Sequence, residues 1–336
     1  MRASARAARK PARGAVRWGP AFALAVIGAG FATAFYVNQV APVDTLHYFQ
    51  TAHMDHFYGT VWGAGTEADA WYVYPPPFAY IVRILSFGGW GQWLLLWTVI
   101  LAVSFSVVRW VGVAAVVIGF GTRLLLDNFK PIAEPANHLT IGNIQPLLLA
   151  AIVLGLRYPA MWAIPLLTKI GPGVGLLWFV VRREWRNLAI ALGATGAIVA
   201  ISFVVDPAAW GEWFRFIFAN VATPSPVAVV PIPGWVRFPA AIGLIIWGAR
   251  TDRPWTLPIA CGIASFALYE WSFLTIWLGV FAFAGPWAPR DASGRLTLTS
   301  RPSAGQAGVV VAAPAAPPAA PAPPAAPAPP ATAPPA

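Results

Sequence analysis

Between Pro20 and Trp287 the chain passes through one apolar stretch after another, interrupted only by glycine, proline and short charged clusters. A hydrocarbon layer about 30 Å thick takes roughly 20 apolar residues per helix, and runs of about that length recur throughout. They are continuously apolar rather than alternating, which selects helices over barrel strands, and a helix closes its backbone hydrogen bonds within its own segment. With 58% hydrophobic and 10% charged residues, the chain exceeds what a soluble core needs. The expected fold class is therefore all-α, a polytopic transmembrane helical bundle of about ten spans: 19–40, 76–88, 90–108, 110–125, 141–156, 159–181, 187–205, 235–249, 254–269 and 271–287.

The net charge of +10 would suit nucleic acid, but six basic residues (Arg2, Arg6, Arg9, Lys10, Arg13, Arg17) crowd into the first 17 positions. Placed before a first apolar segment, such an arm (1–18) reads as an orientation signal held in the cytoplasm. A cleaved leader is the rival, but the apolar stretch Pro20 to Val37 is long for one and no cleavage site follows. Ten crossings return the C-terminus to the cytoplasm, with the clusters Arg182 to Arg186, Arg250 to Arg253 and Arg290 to Arg301. The loop 41–75 and the segment 206–234 then lie outside. Arg157, Arg215 and Arg237 break the charge rule and leave room for local re-entrant segments. The single Cys261 excludes an intramolecular disulfide. Residues 291–336, rich in Ala and Pro, read as an extended cytoplasmic tail beyond the membrane domain at 19–290.

Titratable groups concentrate in the first outer loop. Residues 42–74 hold Asp44, Asp55, Glu67 and Asp69 with His47, His53 and His56, and no Lys or Arg. The helical period from Pro42 puts Asp44, His47, Tyr48, Thr51, Asp55 and Tyr58 near one face and Leu46, Phe49, His53 and Phe57 near the other. This predicts a short interfacial helix on the outer surface, its polar edge toward a cavity. Asp44 is then either an N-cap or a general base whose pKa is raised by desolvation. His53-Met54-Asp55-His56 carries metal-ligating groups, but at a spacing common by chance, and no metal is expected. Asp55, Glu67 and Asp69 read as solvated loop charges.

Further along, Trp71-Tyr72-Val73-Tyr74-Pro75-Pro76-Pro77-Phe78 reads as an interfacial aromatic belt before a proline-led helix, or as rings that flank a lipid entrance or stack on a sugar. Asn143 and Gln145, in Gly142-Asn143-Ile144-Gln145, either cap a helix start or bind hydroxyls or phosphate. Lys169 lies in the apolar stretch Tyr158 to Val181, just before Ile170-Gly171-Pro172-Gly173. An ammonium at membrane depth costs on the order of 3 kcal/mol and points to function, with an anionic phosphate as its partner, unless it snorkels to the interface. Glu270 is an interfacial charge or a second carboxylate of the site. No phosphate-cradling loop or dinucleotide fingerprint is present, so an outer-face transferase would need a lipid-linked donor.

In sum, Val43-Asp44-Thr45-Leu46-His47-Tyr48, Tyr74-Pro75-Pro76-Pro77-Phe78, Gly142-Asn143-Ile144-Gln145, Lys169-Ile170-Gly171-Pro172 and Arg182-Arg183-Glu184-Trp185-Arg186 occur in an order that resembles glycosyltransferase family 87. The resemblance covers roughly residues 18–290. It implies a GT-C-like membrane enzyme that passes a hexose, mannose in the members resembled, from a polyprenyl-phosphate donor to a lipid-linked or glycan acceptor outside the membrane, with inversion. It makes Asp44 the catalytic base. Tyr48, His47, Tyr74, Asn143, Gln145, Lys169 and Glu270 are the expected substrate-binding residues. The implied partners are the donor, the acceptor and membrane lipids, with no cofactor and no nucleic acid. Two departures stand out: the family commonly has Gly-Gln-x-Asn at the amide run, and histidines near the position of Glu270. The alternatives are a transporter or flippase for an anionic or lipid-linked substrate, and a non-catalytic assembly subunit.

Overall fold

The structure, a computed structural model, describes residues 18–59, 72–125, 130–220, 232–265 and 271–283. All of these belong to the first of two units, residues 1–299; the second, residues 300–336, lies outside the described residues. So do the basic arm before Trp18, Glu67, Asp69, Trp71, Glu270, the outer-segment residues 221–231 and the cluster Arg290 to Arg301.

The described residues are helical and contain no strand. In chain order the helices are α1 (Gly19–Val37), α2 (Val43–Ala52), α3 (Pro76–Leu85), α4 (Trp90–Ser104, prolonged by the 3-10 turn Phe105–Val108), α5 (Trp110–Leu125), α6 (Lys130–Ile141) and α7 (Gln145–Gly155). After the 3-10 turn Pro159–Trp162 come α8 (Ala163–Leu166), a second 3-10 segment (Gly171–Leu176), α9 (Leu177–Val181), α10 (Trp185–Val205) and α11 (Pro207–Asn220). The last are α12 (Gly234–Arg250), α13 (Thr256–Ile263), α14 (Phe273–Trp277) and α15 (Val280–Phe283).

Three of these are long and apolar enough to cross a membrane: Gly19–Val37, Trp90–Val108 and Trp185–Val205. Two further pieces, Ile132–Ile141 and Gln145–Gly155, reach that length and apolarity only when taken together, across a bend of 109°. The other apolar runs are cut short. Pro159, Pro165, Gly171, Pro172 and Gly173 divide the run 159–181 into turns too short to span alone, because proline removes a helical donor and clashes with the preceding turn.

On α1, Leu24, Gly28 and Ala32 form the buried stripe. A Cβ on Gly28 would lie 2.9 Å from that of Ala102, so the stripe of small residues lets α1 and α4 approach closely, as helices do where lipid supplies no hydrophobic drive for packing. α10 is apolar all round but buries only Ala191 and Ser202, leaving Ile201, Phe203, Val204 and Val205 outward. Such a helix belongs in lipid.

Two sets of polar contacts join segments that are far apart in the chain. At one end Arg182 donates to Asp252 at 2.7 Å and to Glu184 at 2.9 Å, joining two of the basic clusters. At another, the first loop meets α11: His56 Nδ1 is 2.9 Å from Glu212, and Trp213 donates to the Val73 carbonyl at 3.2 Å.

Candidate active site

α2 is only ten residues long and starts after Pro42. It turns Thr45, Tyr48, Thr51 and Ala52 inward and leaves Leu46 and Phe49 half-buried. Its end is held by Arg83 of α3, whose guanidinium donates to the carbonyls of Ala52 and, at 3.0 Å, Met54. Asp55 and Tyr58 follow the helix instead of extending its polar face, and Asp55 is exposed.

Asp44 does not cap α2; Pro42 occupies that position and no side-chain cap forms. Its carboxylate instead accepts a 2.6 Å hydrogen bond from Asn143 Nδ2, 99 residues away. The Asn143 side chain has one possible orientation, since its Oδ1 accepts the Gln145 backbone N–H at 3.1 Å. Asn143 thus accepts from the first N–H of α7, as the capping reading expected, and donates to the acid, a partner that reading did not foresee.

What brings Asn143 there is the ending of α6. Gly142 has φ +77°, and the Asn143 N–H returns to the His138 carbonyl at 3.0 Å, the glycine-terminated closure that stops a helix and turns the chain sharply. A Cβ on Gly142 would fall 1.7 Å from Thr45 Oγ1, so α2 sits directly on this turn. Two stacked indoles of α4, with centroids 5.0 Å apart, fasten both parts: Trp93 donates to the Thr45 carbonyl at 2.9 Å and Trp97 to the Gly142 carbonyl at 2.8 Å.

Lys169 lies in the non-helical link between α8 and the 3-10 segment from Gly171, where the sequence predicted a break. The link is pressed onto α13, since a Cβ on Gly171 would meet the Ala264 carbonyl at 2.3 Å. Lys169 does not snorkel outward. Both Lys169 and Asp44 keep some accessible surface yet are densely enclosed by protein, as groups lining a cavity are, and each lies in the other's field.

Burial pushes the Asp44 carboxyl above the ordinary carboxylate range; Lys169, the Asn143 hydrogen bond and His47 pull against it. The result is a carboxylate that desolvation makes more basic while a neighbouring cation and an amide keep its charged form accessible. The half-buried His47, one turn on, has its pKa lowered by burial, with Asp44 opposing.

Tyr72, Tyr74 and Phe78 are not a surface belt: all three are buried. Tyr48 meets Tyr74, Phe78 and Trp97 edge-on, and Tyr72 packs on Tyr58, Tyr74 and Phe78. The Tyr48 and Tyr74 hydroxyls are 3.1 Å apart, and burial raises the pKa of both phenols, so they remain neutral hydrogen-bonding groups beside Asp44. Tyr74 and Phe78, which composition assigns to an interface, lie inside against Tyr48. Gln145 is buried with both side-chain polar atoms unpaired.

The groups suggested for a metal are used otherwise. His53 Nδ1 lies 2.7 Å from the Phe49 carbonyl, and His56 pairs with Glu212. The sequence reading missed Glu134 and His138, both buried on α6. Their four-residue spacing was a usable signal only if 130–141 had been read as a helix.

Asp44, Asn143 and Lys169 thus converge from three distant parts of the chain into one enclosed polar site within an apolar bundle. A hydroxyl entering beside Asp44 could lose a proton there, and an anion could be held by Lys169. Comparison with known proteins gives this arrangement its context. Residues 72–314 match the family model of glycosyltransferase family 87, while no curated protein and no solved structure matches. The matched stretch contains Asn143 and Lys169, and α2 lies upstream of it. It covers more than half of the chain, and the chain therefore belongs to glycosyltransferase family 87 and is a membrane glycosyltransferase.

Proposed function

We propose that this enzyme transfers a hexose, mannose by the resemblance described above, from a polyprenyl-phosphate carrier to a hydroxyl of a lipid-linked or glycan acceptor at the outer face of the membrane. Both termini then lie in the cytoplasm. The observation that carries the reading is the enclosed Asp44, hydrogen-bonded to Asn143 and facing Lys169.

In this scheme the acceptor oxygen attacks the anomeric carbon as its proton passes to Asp44. The bond between that carbon and the phosphate oxygen breaks, and its electron pair leaves with the carrier, whose phosphate gains one negative charge. Attack opposite the leaving group turns a β-linked donor into an α-linked product. Lys169 faces the growing charge, where a fixed cation in a dry site acts most strongly. Asn143 keeps Asp44 oriented, and His47, Tyr48, Tyr74 and Gln145 offer the substrate neutral hydrogen-bonding groups. A role for Glu270, which lies outside the described residues, as a further substrate-binding carboxylate belongs to the same proposal.

Radiolabelled polyprenyl-phosphate-mannose, incubated with purified protein and membrane lipids, tests this reading through label in the acceptor fraction. A positioned base contributes about 10² to 10⁴ in rate, so Asp44→Asn should lower transfer by that order with insertion and folding intact. Undiminished transfer would rule Asp44 out as the base. The bent helix pair favours a second reading, since broken helices also build transport sites; lipid flux without transfer of label identifies that activity, and neither signal identifies an assembly subunit.

A further inference from the structure

α9 and α12 end beside one another, and both ends are closed in the same way. Arg183 and Asp252 lie at positive φ, +57° and +55°. The next N–H in each case returns five residues, Glu184 to the Phe179 carbonyl and Arg253 to the Gly248 carbonyl, both at 2.8 Å, the closure that stops a helix sharply. Arg182 ties the two ends together. Its guanidinium donates to the Ala249 carbonyl at 3.3 Å, to Asp252 at 2.7 Å and to Glu184 at 2.9 Å, and Asn187 donates to the other oxygen of Glu184 at 2.8 Å.

That arrangement leaves a surplus of positive charge. Residues 182–186 and 250–253 carry five arginines and two acids, and Arg182 engages both acids. Arg183, Arg186, Arg250 and Arg253 are exposed, and among the described residues none of them has a carboxylate partner; Arg253 lies over the Trp247 ring, 4.9 Å from its centroid. Helix C-termini attract cations through their unpaired carbonyls, yet Arg182 already serves that need. Four further guanidiniums gathered around it repel one another, so the patch is suited to an added counter-charge.

Its place in the fold indicates which one. α10 starts inside the patch, at Trp185, and runs 21 residues to Val205, a length of about 31 Å at 1.5 Å per residue, close to the hydrocarbon thickness of a bilayer. At its far end Asp206 accepts from Tyr80 of α3, on the side of the first loop. The patch therefore stands at the opposite membrane surface. Trp185 and Trp247 are exposed beside the arginines, as indoles are at the level of lipid headgroups. Below them α10 presents Ile190 and Leu192 outward and buries only Ala191 and Ser202. An occupant with an anionic head and apolar chains matches both parts of this surface.

We infer that the ends of α9 and α12, with the start of α10, form a binding site for the phosphate headgroup of an anionic phospholipid whose acyl chains lie along α10. The phosphodiester bridges Arg183 and Arg186 on one turn to Arg250 and Arg253 on the other, and so fastens a helix that the protein itself holds at few points. This site is separate from Asp44, Asn143 and Lys169 and takes no part in sugar transfer.

The test uses the purified full-length protein in nonionic detergent, with phosphatidylglycerol, phosphatidylcholine or inorganic phosphate added, followed by thermal unfolding and by native mass spectrometry. The wild type should bind phosphatidylglycerol about tenfold or more tightly than phosphatidylcholine, from what each basic residue adds near an anionic headgroup, and should unfold at a higher temperature with it. Replacing all four arginines by Gln should abolish the preference while leaving the unfolding midpoint without added lipid as high as in wild type, since their mutual repulsion goes too. Arg183→Gln and Arg250→Gln, one from each turn, should each weaken it. Equal binding of the two lipids by the wild type, an equal stabilisation by inorganic phosphate, or a preference that survives the fourfold replacement overturns the inference. Should the fourfold variant fail to fold, the single variants decide, and an unchanged preference in both overturns it as well.

Discussion

Asn143→Leu tests the site where its geometry is most specific. Leucine keeps the branched shape but removes the Nδ2–H that reaches Asp44 at 2.6 Å. A hydrogen bond to a charged group contributes about 1.5–3 kcal/mol, and one pKa unit corresponds to about 1.36 kcal/mol, so the Asp44 pKa should rise by about one to two units. The sign follows from the bond itself: it favours the charged carboxylate, and its loss favours the protonated form, which cannot accept a proton. The acid limb of kcat/KM against pH, followed by label transfer, should move upward by the same amount, so at a pH on that limb the rate falls about 10- to 100-fold and recovers at higher pH. Leucine also removes the Oδ1 acceptor of the Gln145 N–H. Asn143→Asp separates the two effects, because it keeps that acceptor while setting a second carboxylate against Asp44. Both variants should shift the limb upward, and only Leu should weaken the start of α7. A pH-independent drop with the limb unmoved in both would refute the link between Asn143 and the base.

Other perturbations reach the same scaffold. Gly142→Ala puts a side chain at φ +77° and into Thr45; the left-handed conformation alone costs about 1–2 kcal/mol. It should lower both thermal stability in detergent and transfer, and a variant of undiminished activity would show that α2 does not depend on this turn. Asp206 accepts from the Tyr80 hydroxyl at 2.6 Å and caps α11 through the Ala209 N–H at 2.9 Å, and its pKa is lowered, chiefly by Tyr80. Asp206→Ala should cost about 1 kcal/mol at neutral pH. Because the folded pKa lies below the unfolded value of about 3.9, this stabilisation is present above that value and fades as pH falls through the folded pKa, a convergence with wild type that unfolding midpoints at pH 7 and below pH 4 would detect.

What the sequence makes legible here, and what it hides, divides along physical lines. Asp44 and Lys169 stand out because charge is scarce in this chain and has few reasons to lie where they do. The break after Lys169 is equally visible, since Gly171-Pro172-Gly173 cannot continue a helix. Continuity is not visible: apolarity measures how much of a segment avoids water, and says little about whether it crosses as one rod or as the short turns between Pro159 and Val181. α6 escapes notice for a related reason. With Lys130, Pro131, Glu134, Pro135, Asn137 and His138 it resembles a polar loop, yet it is helical and buries Glu134 and His138 in the interior. Tyr74 meets inside the bundle a partner 26 residues earlier, Tyr48, which no local pattern announces.

These hidden features share one origin in the accounting of backbone hydrogen bonds. A helix broken inside an apolar bundle frees N–H and C=O groups that lipid cannot satisfy. At the bend between α6 and α7 three partners are close at hand: the Asn143 N–H takes the His138 carbonyl, the Gly142 carbonyl takes the Trp97 indole, and the Gln145 N–H takes Asn143 Oδ1. That last bond leaves Asn143 Nδ2 pointing the other way, at Asp44. The turn that pairs the broken backbone is thus the turn that orients the acid, and both are anchored to α4 through Trp93 and Trp97. Such a site needs no flexible loop to assemble it, because the bonds that make the break tolerable in the bundle already hold its polar groups in register.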